Sequence, residues 1–155
     1  MEENPILQIK DAVIRILKGL DPEVDVFFEE IRRTDPEHGL SQGQTWYFVD
    51  LMPGTPVTVD GIYTDMGVSV DIAYHEKLES NLQYLMKSAE IDAAFRPVLS
   101  FGNRHITIGS ADITVVDHVL HYGFHVNFRH SAEPAIQNER MEELGVSFQK
   151  ESETV

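Results

Sequence analysis

The twelve residues Asp117 to Phe128, DHVLHYGFHVNF, constrain the fold more than any other stretch of the chain. Leu120, Tyr122, Phe124, Val126 and Phe128 fall at every second position, and His121, Gly123, His125 and Asn127 take the positions between. A period of two is that of a β-strand, whose successive side chains point to opposite faces, so this is a strand with one apolar and one wet face. Five large residues in one ridge need an apolar cover. Two amphipathic helical patterns elsewhere supply it.

The first begins at Asn4-Pro5, a pair suited to a helix start because Asn caps free N–H groups and Pro at the first helical position loses no hydrogen bond. Ile6, Ile9, Val13, Ile16, Leu17 and Leu20 then recur at helical spacing, and Gly19 with Asp21-Pro22 ends the run. The second pattern, Leu78, Leu82, Leu85, Met86, Ala89 and Ala93, predicts a helix broken before or at Pro97 with those residues on its buried face.

Between the helices lie three strand patterns: Val24 to Ile31, Trp46 to Met52 and Val68 to His75. Trp46 to Met52 is apolar on both faces, which predicts a central strand, whereas Val68, Val70, Ile72 and Tyr74 alternate with Ser69, Asp71, Ala73 and His75, which predicts one wet face. Thr34 to Gln44, with Pro36, Gly39 and Gly43, is a loop, and residues 57–66 are a connection without a clear pattern. From Val98 onward the chain reads as one antiparallel run: VLSF, a turn at Gly102-Asn103, HITI, a break at Gly109-Ser110, DITVV, and the strand described first. The expected fold is α+β, an antiparallel or mixed sheet with two amphipathic helices on one face. Residues 1–130 form a single domain in this reading, and 131–155 a charged mobile tail or short helix near Glu133 to Leu144.

At 155 residues one core suffices without a disulfide or a metal, since roughly 70% of the unfolded chain's surface is buried at this size. Lys and Arg number 12 against 26 Asp and Glu, a net charge of -14 that disfavours nucleic acid and favours a protein partner with a basic surface. The start, MEENPILQIK, has no apolar stretch of signal-peptide length, and no apolar run approaches the ~20 residues that span a bilayer. The expectation is a soluble protein without membrane contact, intracellular or released by lysis. Cysteine is absent, which removes thiolate chemistry and Cys-ligated zinc.

Seven histidines, four of them His118, His121, His125 and His130, raise the question of a metal. On a strand His121 and His125 lie ~13 Å apart, too far for two bonds of ~2 Å to one ion, and His118 and His121 point to opposite faces, so no metal site is assigned. Glu29, Glu30, Asp50, Asp71 and Asp117 are candidates for a carboxylate pair, but with so many acids some pairing is expected by chance. There is no G-x-S-x-G elbow, no P-loop and no G-x-G-x-x-G after a strand. No catalytic or cofactor-binding residue is assigned, and no cofactor is expected. An open sheet does have unpaired edges, and pairing with another chain is one use of them.

Taken together, VFFEEI, WYFVDL, VSVDIAYHEKLESNLQYLM, FRPVLSFGNRHITI and VVDHVLHYGFHVNF, in this order behind an N-terminal helix, resemble the tail terminator, or tail completion, proteins of long-tailed bacteriophages and prophages. The similarity covers Ile6 to Phe128. It implies a structural protein, not an enzyme, that forms a homo-oligomeric ring, commonly of six subunits, on the last ring of the tail tube. There it stops polymerisation and presents the surface for head attachment. The implied partners are the tail tube protein and the head-tail connector protein, and the implied location is the virion tail, with the host cytoplasm as the place of assembly. The family pattern carries no motif of functional residues. The alternative is a small-ligand-binding or other protein-interaction domain of a bacterial cytoplasmic protein, which would need a pocket with Tyr74 or Asn127 directed into it.

Overall fold

The computed structural model of the chain describes residues 4–28 and 44–131. The expected loop before Gln44, the end of the first strand at Glu29 to Ile31, and the tail with its helix at Glu133 to Leu144 lie outside the described residues. Helix α1 spans Pro5–Leu20, with the Asn4 side chain accepting from the N–H of Ile6 at 2.8 Å, as the Asn-Pro pair predicts. Ile9, Val13 and Leu17 are fully buried, and Ile6, Ile16 and Leu20 pack at the margin of the same core.

Strands β1 (Asp25–Phe28), β2 (Trp46–Pro53), β3 (Val57–Thr58), β4 (Tyr63–His75), β7 (Asp112–Val116) and β8 (Val119–Ser131) form one sheet in the order β1-β2-β4-β8-β7, with β3 beside β4. It is mixed: β1 runs parallel to β2, and β2 antiparallel to β4. The cross-strand neighbours Gly67–Asn127 and Ser69–His125 step in opposite directions along β4 and β8, so this pair too is antiparallel. The connection of unclear pattern is thus a short strand and a turn, in which Asp60 accepts from the N–H groups of Ile62 and Tyr63. Two compact units are distinguished, Met1–Thr55 with Met66–Phe128, and Pro56–Asp65 with the segment from Arg129. Within the second, Arg129 holds Asp65 with both ends of its guanidinium, at 2.7 and 3.3 Å, which keeps that carboxyl below its usual range.

The ridge forms as its alternation requires. Leu120, Tyr122, Phe124, Val126 and Phe128 are buried, whereas His125 and Asn127 are exposed. Tyr47, Val49, Val70, Ile72 and Tyr74 continue the same face across β2 and β4, with Tyr47 opposite Tyr74 and Val49 opposite Ile72. Helices α1 and α2 (Asn81–Phe95) both contribute to this core. Phe95 sits with ring centroids 5.5 Å from Phe124 and 6.2 Å from Tyr122. Asp21, just beyond α1, joins three elements, accepting from the Tyr47 hydroxyl of β2 and from Lys87 Nζ of α2 at 2.8 Å. Burial works against the Lys87 charge, but the hydrogen bonds to Asp21 and Glu90 outweigh it and raise the pKa of the ammonium.

Four expectations need correction. Strand β8 begins at Val119, because Asp117 and His118 form the hairpin turn with φ of 51° and 63°. Positive φ at both central residues matches the right-handed twist of the paired strands, and Asp and His enter that region more easily than most residues. The run from Val98 is not one sheet, since β5 (Val98–Phe101) and β6 (Arg104–Thr107) pair only with each other among the described residues. Their turn uses Gly102 at φ +59°, where the Gln8 side chain also occupies the space of a Cβ. The outer face of β4 is wet only in part: Ala73 and His75 are buried, packed by Trp46 and Phe48 of β2, opposite them in register. The fourth correction concerns α2.

Candidate interaction surface

Helix α2 starts where Ser80 accepts from the N–H of Gln83 and ends at Phe95, close to the expected bounds, but it turns the other face inward. Tyr84, Ser88, Ile91 and Phe95 are buried, at spacings of four, three and four. Leu82, Leu85 and Met86 are 63%, 68% and 51% exposed, Leu78 just ahead of the helix is 74% exposed, and Ala89 and Ala93 face outward with them. The leucines expected in the core therefore form an apolar stripe on the surface. Tyr84 explains part of this choice. Its hydroxyl donates to the His118 carbonyl and accepts from the N–H of Glu76 at 3.2 Å, tying the helix to the β7–β8 turn in a way a leucine cannot. Burial pushes the Tyr84 hydroxyl pKa up, partly offset by the Glu76 N–H.

Strand β7 lies beside that stripe, at the end of the sheet. All five of its residues are exposed, and among the described residues no strand pairs with its outer side. Val116 and Val119 close the two-residue turn as a hydrogen-bonded pair, so by alternation Thr114 and Asp112 also bond to β8. The N–H and C=O groups of Ile113 and Val115 point away from β8. Their side chains, with Leu120 of β8 and Asn81, Tyr84, Leu85 and Ser88 of α2, line an open groove of about 300 Å³. An apolar helix face, an apolar groove and an unpaired strand edge thus adjoin one another, the combination expected of a surface that another chain covers.

The residues weighed for chemistry are dispersed over the sheet. Asp50 and Asp71 stand opposite each other across β2 and β4, and Asp71 Oδ2 meets His121 Nδ1 at 3.1 Å. His125 Nδ1 meets Ser69 Oγ at 2.9 Å, while His118, in the turn, faces Glu79 at 3.9 Å. His130 lies near the end of β8, and Asp117 is exposed in the turn. Glu29 and Glu30 lie outside the described residues. Among the described residues no three His, Cys, Asp or Glu side chains group as they would around a metal ion. Tyr74 is packed in the core with its hydroxyl on Glu76, and Asn127 is exposed beside Gly67, so neither is aimed into the groove. No described helix is long and apolar enough to cross a membrane.

The chain is thus an α+β domain, a mixed sheet covered by helices on one face, with an apolar flank at its edge. A family model described as phage tail terminator protein matches residues 8–138, most of the chain, and the chain belongs to that family. A comparison with the curated proteins finds none that matches. Sequence reasoning assigned no site residues. It missed this surface because it placed Leu82, Leu85 and Met86 in the core, although the 84-88-91-95 spacing was an equally regular helical face.

Proposed function

We propose that this protein ends tail growth by occupying the growth surface of the last tube ring, in a form that a further ring cannot displace, and that it then presents the surface to which the head attaches. The partners are the tail tube protein and the head-tail connector protein. The working form is a ring of copies joined head to tail, an interface that needs two different complementary patches on each subunit. Residues 1–130 serve as the capping domain and 131–155 as a charged extension. The action is steric and non-enzymatic, with no cofactor, no metal and no nucleic acid. It takes place in the host cytoplasm during assembly and leaves the protein in the virion tail.

The observation that carries this reading is the exposed apolar face of α2 beside the unpaired β7 edge, on a chain of the tail terminator family. Electron microscopy of particles made with the gene deleted tests it. Overlong tails without heads are expected, and tails of normal length joined to heads would refute the proposal. A net charge of -14 on each subunit opposes self-association at low salt, so a monomer in solution is compatible with a ring formed on the tube.

A further inference from the structure

We propose that the β7 edge and the α2 stripe receive an extended segment of a basic partner protein, added as one more strand beside β7 with its apolar side chains in the groove. The proposal deepens the capping role, and rests on it only for the partner being a tail or head component. Three observations carry it. The outward N–H and C=O groups of Ile113 and Val115 offer the hydrogen bonds of a further strand pair. The groove lies on the side of β7 that Ile113 and Val115 face, so an added strand would send alternate side chains into it, against Leu85.

The third observation is charge. Asp112 opens β7 and Asp117 follows it in the turn, both exposed, and Glu79 lies by the turn across from His118. Of the basic groups on α2, Lys87 is already held by Asp21 and Glu90, and Arg96 at its end by Asp92. The acidic rim is thus in excess, which selects lysine or arginine at the flanks of the incoming segment. A second copy meeting this face symmetrically would set the same acidic rim against itself.

The test uses the purified full chain and a fluorescent peptide, Lys-Lys-Val-Thr-Val-Thr-Val-Lys-Lys, with a second peptide carrying Glu in place of each Lys. Fluorescence anisotropy should show the Lys-flanked peptide binding at least about tenfold more tightly, the gap narrowing as salt is added. Val115→Pro removes an N–H that faces away from β8, and Leu85→Asp places a charge on the groove wall, so each should weaken binding about tenfold or more. His125→Ala, on the opposite face of the sheet, should leave binding unchanged. Should Val115→Pro fail to fold, Leu85→Asp and Ile113→Lys carry the test. Equal binding of the two peptides, or binding indifferent to these substitutions, would overturn the proposal, as would a wild-type dimer in sedimentation that Leu85→Asp dissolves. The two readings fail separately: normal tails after gene deletion refute capping and leave peptide binding standing, and the converse also holds.

Discussion

The orientation of α2 can be tested by truncating one residue on each of its faces. Ile91 is fully buried, and Ile91→Ala leaves a cavity between helix and sheet, at a cost of about 2–5 kcal/mol for a core site of this kind. The gain in helix propensity returns at most a few tenths of a kcal/mol. Leu85 is 68% exposed, so Leu85→Ala removes side chain that water already surrounds and should change stability by less than about 0.5 kcal/mol. For a domain of this size each kcal/mol shifts Tm by about 2–4 °C, so Ile91→Ala should melt roughly 5–15 °C below wild type. Leu85→Ala should melt within about 2 °C of it. Circular dichroism of thermal unfolding measures both. If Leu85→Ala proved the more damaging, the leucine stripe would be core, and the interaction surface described above would not exist.

Two further outcomes are expected. Phe124→Ala, which removes a buried ring packed on Phe95 and Tyr122, should cost about 3–5 kcal/mol, whereas His125→Ala should cost under about 1 kcal/mol; urea denaturation in the reverse order would mean the wrong strand register. Hydrogen bonds from Arg96 and then Tyr122 hold the Asp92 carboxyl below its usual range, so its contribution is present above the unfolded carboxylate pKa of about 4 and is lost as pH falls through the lowered folded value. Asp92→Asn should therefore flatten the acid limb of the stability–pH curve, and an unchanged limb would remove Asp92 from the account.

The sheet's central ridge and α1 were legible because each has one apolar face and no rival. Leu120 to Phe128 alternate without a break, and Asn4-Pro5 and Asp21-Pro22 punctuate the helix at both ends. Helix α2 has two candidate faces, and hydrophobicity alone picks the leucines over a set containing Tyr84 and Ser88. What decides is tertiary: Phe95 meets the ridge rings, and the Tyr84 hydroxyl joins backbone groups at Glu76 and His118, 42 residues apart in the chain. The turn at Asp117-His118 was missed for a local reason, since it lacks the Asn-Gly or Asp-Gly pair that marks such turns. The separate β5–β6 hairpin was hidden because alternation specifies a strand and not its neighbour. The candidate surface was illegible for the same reason as the face of α2: a residue left exposed for a partner reads in the sequence as a core residue.

Trp46, the sole tryptophan, is 6% exposed and stacked on His75 at 5.3 Å, in the small apolar cluster of the sheet's outer face, with Phe27 of β1 packed against that cluster. The cluster also receives Val119, the first residue of β8 and the register partner of Val116 in β7, so although β7 is the third strand beyond β2, about 14 Å away at the usual strand spacing, the indole's surroundings reach to the closing pair of the β7–β8 hairpin. A ligand seated on β7 reaches the indole's emission through Val119, without touching the indole itself. A spectral change on binding there would mean that the hairpin end of β8 had shifted against the cluster, and an unchanged spectrum that the β7 edge takes up its ligand without moving that end of the sheet.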